Sequence, residues 1–314
     1  MKEKAMTIYE IFDDIHSDRV KKVIVDSDTY NEMDDQYAIA YALGCEKLNT
    51  VSINATLFNN PRCNGTEDGM EKSYAEIQRL LGIVGRDVPA YKGCPVPLTV
   101  NEDTMGKPEL SPAAENIIKT CRESDETVYV IGLASVTNIV TALMLDPTIK
   151  EKLCVIWVGS NCLENGCGGE FNAGQDYKAA QYLFSCGVNL VLLPAIGDIG
   201  HGTQVLLGHK TTLDAAFTGD TAIDRFFRDE LPSGCDDEYT KKPNTWWHVF
   251  WDIAGPAVLS VPEAFDLEIM DAPRVRGDWT YAIGEPNRPK MIYMHGLNRD
   301  MVFADAFCNI NKLK

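Results

Sequence analysis

The stretch that decides the fold reads VKKVIVDSDTYNEMDDQYAIAYAL and runs from residue 20 to residue 43. Its first part, residues 20–25, is a short and mostly apolar run, which is typical of a buried strand. Residues 33–43 then place apolar side chains at helical spacing, starting beside Asp34 and Asp35. A buried strand, an acidic loop and a helix in this order predict the first half of a βαβ unit.

The same alternation continues along the chain. We predict further strands at about residues 50–57, 127–133, 153–159 and 189–194. We predict further helices at about residues 68–82, 112–122, 137–145, 176–186 and 245–259. Strands this continuously apolar are covered on both faces, so the fold class is α/β, with an open, mainly parallel, Rossmann-like sheet flanked by helices. Residues 203–250 add a C-terminal helical excursion. The absence of a Pro/Gly/Ser-rich linker predicts a single domain over residues 1–314.

The charge balance excludes several classes of partner. The 29 Lys and Arg residues stand against 46 Asp and Glu, which gives a formal charge of −17. Nucleic acids and anionic membranes favour a basic face, so neither is an expected partner. No apolar run reaches the roughly 18–20 residues that a membrane helix needs, and the first residues lack a signal-peptide core. We therefore expect a cytoplasmic protein whose ten cysteines are mostly reduced core residues.

The loop after the first strand is the first place to look for chemistry, because ligands of open α/β sheets bind beyond the carboxyl ends of the strands. This loop holds five carboxylates and no Lys or Arg: Asp26, Asp28, Glu32, Asp34 and Asp35. Crowding like charges raises their pKa values and costs free energy unless a cation neutralises them. A hard divalent ion is the natural counterion, and both Ca²⁺ and Mg²⁺ fit an oxygen-rich loop.

Part of this cluster has a simpler explanation. Asp34 and Asp35 open a helix, where the helix dipole and exposed amide groups favour carboxylates. Capping uses one or two such residues, so it leaves Asp26 and Asp28 unexplained. The cluster as a whole therefore favours a cation site.

Two other acidic-loop motifs match this loop only in part. An EF-hand loop counted from Asp26 requires Gly at its sixth position and Glu at its twelfth, where this chain has Asn31 and Tyr37. A phosphatase of the haloacid dehalogenase type also begins with a strand and a DxD pair. Its pattern has Thr or Val where this chain has Tyr30. The match is therefore incomplete, and this phosphatase is kept as the second-ranked hypothesis.

Several segments carry a family resemblance. The aspartate loop is followed by QYAIAYAL, and the later segments are VPAYKGCPVPL (88–98), GLASVTNIVTAL (132–143), CVIWVGSN (154–161), EFNAGQDYKAAQYLF (170–184) and WWHVFWDIAGPAV (246–258). Together they resemble the inosine-uridine-preferring nucleoside hydrolases, which use Ca²⁺ to hydrolyse the N-glycosidic bond of ribonucleosides. The EFN segment together with the aspartate loop is the specific part of this resemblance.

The resemblance implies roles for individual residues. Asp28, Asp35, Asp252 and the backbone carbonyl of Thr137 would hold Ca²⁺. Asp28 would also take a proton from a metal-bound water. The implied substrate contacts are Asp34, Asn59, Val158, Glu170 and Asn172, with Asn60 an equal alternative to Asn59.

The residue that would protonate the departing base differs from the family pattern. Many family members have a His directly before the late metal-binding Asp, where this chain has Trp251. His248 lies four residues before Asp252, so on a helix both side chains would point to similar faces, and we predict that His248 supplies the proton. Trp251 is predicted to contact the base by stacking.

Physical chemistry supports the same substrate class. Cleavage of a C–N glycosidic bond passes through a ribosyl cation, which surrounding carboxylates stabilise. The same carboxylates would repel a phosphorylated sugar, so an uncharged nucleoside is the expected substrate. A catalytically silent relative that binds a metal and a ribosyl ligand is the alternative from another class. The resemblance also implies a homo-oligomer, either a dimer or a tetramer.

Overall fold

A computed structural model of the chain describes residues 5–101 and 103–314. Its strands are β1 Lys21–Ser27, β2 Leu48–Ala55, β3 Ala90–Tyr91, β4 Val128–Gly132, β5 Leu153–Val158, β6 Asn189–Leu193, β7 Leu207–His209, β8 Trp247–Val249, β9 Phe265–Asp271, β10 Arg274–Val275, β11 Tyr281–Ala282 and β12 Lys290–Leu297. Its α-helices are α1 Ile8–Ile15, α2 Asp34–Gly44, α3 Thr66–Val84, α4 Pro112–Glu123, α5 Thr137–Leu145, α6 Phe171–Gln175, α7 Tyr177–Leu183, α8 Lys210–Ala216, α9 Ala222–Arg225, α10 Leu231–Cys235, α11 Asp237–Lys241, α12 Ala254–Ser260 and α13 Arg299–Asn311.

Eight of the twelve described strands form one large central sheet. Its eight strands follow the order β3, β2, β1, β4, β5, β6, β12 and β9. Every neighbouring pair runs parallel except β12 and β9, which run antiparallel at one edge. The prediction of a mainly parallel sheet flanked by helices is therefore confirmed. The parallel order brings the carboxyl ends of β1, β4, β5 and β6 to the same edge of the sheet.

The sheet is covered on both faces because its central strands are apolar on both sides. In β1, Val23 and Val25 belong to one buried apolar cluster, and Ile24 between them belongs to a second cluster. Tyr37 of α2 packs into the first cluster, and Ile139 of α5 packs into the second. This alternation is the period of two that a strand imposes on its side chains.

The segment after β6 differs from the prediction at one point. Residues 210–241 are mostly helical, as expected, but the helix predicted for 245–259 is wrong in its first half. Trp247–Val249 form strand β8, which pairs antiparallel with Leu207–His209 of β7. A short 3₁₀ turn follows over Trp251–Ile253, and only then does α12 begin.

Two further features of the chain can be stated from the structure. None of the helices in the described ranges combines the length and the apolarity needed to cross a membrane. All ten cysteines lie in these ranges and are unpaired, and six of them are buried. Their burial agrees with the prediction that most are reduced core residues.

Candidate active site

A cavity of about 250 Å³ lies at the carboxyl edge of the central sheet. The residues that line it follow β1, β4, β5 and β6 or belong to the later EFN and tryptophan-rich segments. Six carboxylates line it, namely Asp28, Glu32, Asp34, Asp35, Glu170 and Asp252. The acidic loop therefore opens into the place where a parallel α/β sheet binds ligands.

Asp252 joins the acidic loop although it lies 218 residues after Asp34. Its backbone N–H donates to Asp34 Oδ2 at 3.1 Å. Carboxylate oxygens of Asp34, Asp35 and Asp252 all lie within 4.8 Å of one another. Asp35 also accepts a hydrogen bond of 2.5 Å from the Ser27 hydroxyl at the end of β1. The 3₁₀ turn before α12 thus delivers a late carboxylate to the start of α2.

The buried carboxylates of this cluster resist ionisation. Burial raises the pKa of Asp28 well above its ordinary value, and the charges of Asp35 and Asp34 raise it further. Burial likewise raises the pKa of Asp252 and of Asp35, and in both cases Asp34 is the strongest neighbouring charge. A group of acids held this way is stable as carboxylates only when positive charge is nearby.

The donor set fits a hard divalent cation. Asp28 Oδ2 is buried and has no hydrogen-bond partner among the described residues. Leaving such an atom unpaired is costly, whereas a cation would satisfy it. The candidate ligands are all oxygens, which is the chemistry that Ca²⁺ and Mg²⁺ require.

His248 lies behind this cluster. Its Nε2 atom is 3.6 Å from Glu32 Oε2 and 3.9 Å from Asp34 Oδ1, so both contacts are too long for hydrogen bonds. Burial alone would lower the pKa of His248, but the carboxylates of Asp34 and Glu32 outweigh it and raise that pKa. His248 reaches this position from strand β8, so the helical spacing to Asp252 that suggested its role is not what places it. It does not line the cavity.

The EFN segment, residues 170–172, forms one side of the cavity, and its backbone is held in place by hydrogen bonds. Glu170 caps α6 and accepts backbone hydrogen bonds from Asn172 at 2.9 Å and from Ala173 at 2.8 Å. It also accepts one from Ser160 at 2.7 Å. Burial raises the pKa of Glu170, and these N–H donors work in the opposite direction. Because Glu170 is held by three backbone groups, its position is fixed before any ligand binds.

Asn172 spans the ends of two strands. Its amide nitrogen donates to the carbonyl of Leu133 at 3.0 Å and to the carbonyl of Val158 at 2.9 Å. Both protons of the amide nitrogen are used in this way, which leaves the side-chain oxygen as the group for a ligand. Asn172 and Val158 line the cavity, as does Trp251.

Eight lining residues were not identified from the sequence, and three of them are polar or aromatic. Asn31 lies inside the acidic loop, Asn161 follows β5, and Phe171 is the residue after Glu170. Asn31 and Phe171 stand next to assigned positions, Glu32 and Glu170. This proximity in sequence was the signal that could have identified them. Asn31 also accepts a hydrogen bond of 2.7 Å from Asn60. Of the two registers considered, Asn60 is therefore the one in contact with the site.

Besides His248, two of the predicted site residues lie outside the cavity lining. Asn59 is exposed, and its backbone N–H donates to Gln175. Thr137 is buried at the start of α5, with its hydroxyl donating to Asp176 at 2.8 Å. Asp26 lies beneath the loop, where Thr56 and Asn138 each donate to it at 3.0 Å. Burial raises the pKa of Asp26 to about 7.

With this geometry in place, comparison with known proteins identifies the family. The model of the inosine-uridine preferring nucleoside hydrolase family matches residues 23–288. The chain belongs to this family. Pyrimidine-specific ribonucleoside hydrolase RihA of Escherichia coli O1:K1 is 27% identical over 194 residues, which is 55% of this chain. That match covers 59% of RihA, so the chain spans about three fifths of the length of such relatives.

Solved nucleoside hydrolase structures share the fold. A purine-preferring ribonucleoside hydrolase from Gardnerella vaginalis superposes with a TM-score of 0.75 at 21% identity, over 93% of this chain and 99% of that one. A plant nucleoside hydrolase, PpNRh1, gives a TM-score of 0.72 at 17% identity with the same coverage. At these identities the likeness concerns the fold alone.

Proposed function

We propose that this chain hydrolyses the N-glycosidic bond of ribonucleosides and releases ribose and the free base. The observation that carries the proposal is the convergence of Asp28, Asp34, Asp35 and Asp252 on one cavity at the carboxyl edge of the sheet. Family membership supports the same reaction. The absence of Lys and Arg from the residues described as lining the cavity argues against the phosphatase alternative.

A calcium ion would be held by Asp28, Asp35 and Asp252. The backbone carbonyl of Thr137, buried at the start of α5, would be the fourth protein ligand. When bound, such an ion lowers the pKa of water and offsets the repulsion among the acids. The unpaired Oδ2 atom of Asp28 and the proximity of Asp35 to Asp252 support this assignment.

The remaining lining residues suit ribose. Asp28 is placed to accept a proton from the attacking water, because its carboxylate lines the cavity next to the other proposed calcium ligands. Asp34 and the side-chain oxygen of Asn172 would hold the ribose hydroxyls. Glu170 would stabilise the positive charge that develops on the sugar as the C–N bond breaks. Val158 and Trp251 would supply apolar contacts to the sugar and the base.

His248 was predicted to protonate the departing base, and the structure limits how it would do so. Its Nε2 atom lies within 4 Å of carboxylate oxygens of Glu32 and Asp34, so these two carboxyl groups would offer its proton a route to the base. Substitution of His248 tests this route.

The deciding experiment measures reducing sugar released from a panel of ribonucleosides in the presence of CaCl₂. We expect release that a chelator stops, and Asp28→Asn should lower kcat by about 10²–10⁴-fold, as loss of a general base does. Asp300→Asn, which changes an exposed carboxylate outside the cavity, is the matched control and should keep full activity. Absence of ribose from every nucleoside would refute the proposal, and binding without turnover would favour the catalytically silent alternative.

A homo-oligomer, either a dimer or a tetramer, and a cytoplasmic location also remain part of the proposal. Sedimentation of the purified chain measures the first, and fractionation of cells measures the second.

A further inference from the structure

The ionisable groups around the cavity are of one chemical kind. Among the described residues, every ionisable side chain that lines it is a carboxylic acid, and none is Lys, Arg, His, Tyr or Cys. Three of the six acids are assigned to the calcium ion by the proposed function. The other three, Glu32, Asp34 and Glu170, remain to face the substrate.

A cavity whose ionisable side chains are all carboxylic acids favours some leaving groups over others. A neutral base such as a purine or a pyrimidine must gain a proton as it departs, and His248, whose Nε2 atom lies 3.6 Å from Glu32 and 3.9 Å from Asp34, is not among the residues that line the cavity. A base that already carries a positive charge on its glycosidic nitrogen departs as a neutral molecule and needs no proton. It is also attracted to carboxylates before the reaction begins.

We propose that the preferred substrates are cationic N-ribosides, in which the ring nitrogen bonded to C1′ is quaternary, as in an N-ribosylpyridinium ion. This proposal rests on the proposed function. In the reaction the C1′–N bond breaks and its electron pair stays on the ring nitrogen, which becomes neutral. Water adds through its oxygen to C1′ and loses one proton, which Asp28 accepts and passes to solvent. Charge balances because one cation is consumed and one proton is released.

The shape of the site agrees with this substrate. Glu32 is the most exposed of the acids, with 48% of its side chain accessible, so it lies where an entering cation meets the site first. Trp251 and Phe171 line the same cavity, which places two aromatic side chains beside a bound substrate. Aromatic faces bind cations through the ring quadrupole, and this attraction adds to that of the carboxylates.

The test compares leaving groups that differ in charge and in their need for a proton. The probes are 1-(β-D-ribofuranosyl)nicotinamide, which is cationic, and p-nitrophenyl β-D-ribofuranoside, which is neutral but departs without protonation. Uridine and inosine serve as neutral nucleosides that need a proton. Each is assayed with the wild-type chain, with Glu32→Gln and with Glu109→Gln, an exposed substitution outside the cavity.

We expect kcat/KM to be highest for the cationic riboside. Glu32→Gln should lower that value about 10-fold while changing the value for the p-nitrophenyl riboside less than about 3-fold, because only the first substrate carries the charge that Glu32 attracts. Glu109→Gln should change neither. A kcat/KM for uridine or inosine equal to or above that of the cation, or an equal effect of Glu32→Gln on both probes, overturns the inference and leaves the proposed function standing. Failure of all four substrates refutes both.

Discussion

Asn138 shows how a single buried amide supports the acidic loop without touching a ligand. Its amide nitrogen donates to Asp26 and to the Ala55 carbonyl, and its oxygen accepts from the backbone N–H of Cys94 at 2.7 Å. We expect Asn138→Ala to lower the free energy of unfolding by about 3 kcal/mol, because it leaves several buried polar groups unpaired. Urea denaturation measures this, with the exposed Asn64→Ala as control. A loss equal to that of the control would contradict the assigned role.

Asp224 gives a stability contribution with a defined pH range. Its fully buried carboxylate pairs with Lys314 and accepts a hydrogen bond of 2.6 Å from the Thr221 hydroxyl. Burial alone would raise the pKa of Asp224, but these partners lower it to about 2. Because the folded-state pKa is below the unfolded value of about 3.9, the stabilisation is complete above that pH and disappears as the pH falls through about 2.

We therefore expect Asp224→Asn to cost about 2 kcal/mol of unfolding free energy at neutral pH and almost nothing near pH 2. Denaturation of both forms across this pH range measures the difference. The control is Asp237→Asn, which removes an exposed pair with Lys241 and should have no measurable effect. A difference between wild type and Asp224→Asn that stays constant with pH would show that the ion pair is not its source.

Single residues also show what the sequence can and cannot predict. The loop carboxylates were found because five like charges without a counterion require an explanation at any sheet edge. Asn59 and Thr137 were assigned by the family resemblance alone, and neither side chain lines the cavity. Trp246 is buried in the core and donates to Asp236, so aromatic character by itself did not separate a core tryptophan from Trp251. Side-chain direction in a loop depends on contacts that no local pattern encodes.

At the scale of elements, helix α3 offers a matched pair of glycines. A Cβ atom at Gly69 would lie 2.1 Å from the Phe58 carbonyl oxygen, whereas a Cβ atom at Gly82 meets nothing within 4 Å. We expect Gly69→Ala to lower the free energy of unfolding by about 2–3 kcal/mol, because helix α3 would have to shift away from Phe58 in the loop after β2. Gly82→Ala should raise it by about 0.5–1 kcal/mol through helix propensity alone. Thermal or urea unfolding of both variants checks the pair, and effects of the same sign would contradict the packing of α3.

The elements that the sequence predicted well are those with strong local signals. Buried strands such as β1, β4 and β5 are continuous apolar runs, and their positions were predicted to within about two residues. Strand β8 was predicted as helix because its aromatic residues lead directly into α12. Its pairing partner β7 lies about 40 residues earlier, and a strand that exists through such a nonlocal pairing leaves little trace in its own sequence.

At the scale of the whole molecule, the acidic cluster joins parts of the chain that are far apart in sequence. Asp28 and Asp35 follow the first strand, and Asp252 precedes α12, yet all three line one cavity. Bringing them together opposes folding, because burial and mutual repulsion raise their pKa values. The favourable packing of the sheet and its helices must offset this cost when no cation is bound.

Cation binding should therefore stabilise the entire fold, since it links the first and the late segments of the chain. A ligand that binds only the folded state at 100 times its Kd adds about 2.7 kcal/mol to the free energy of unfolding. For a chain of this size we expect a rise in Tm of roughly 4 °C on adding CaCl₂ and its reversal by a chelator. Asp35→Asn combined with Asp252→Asn should abolish the calcium response while raising Tm in its absence, because two buried charges are removed. The exposed substitution Asp300→Asn should leave the response unchanged, and a calcium-dependent Tm that persists in the double variant would place the ion elsewhere.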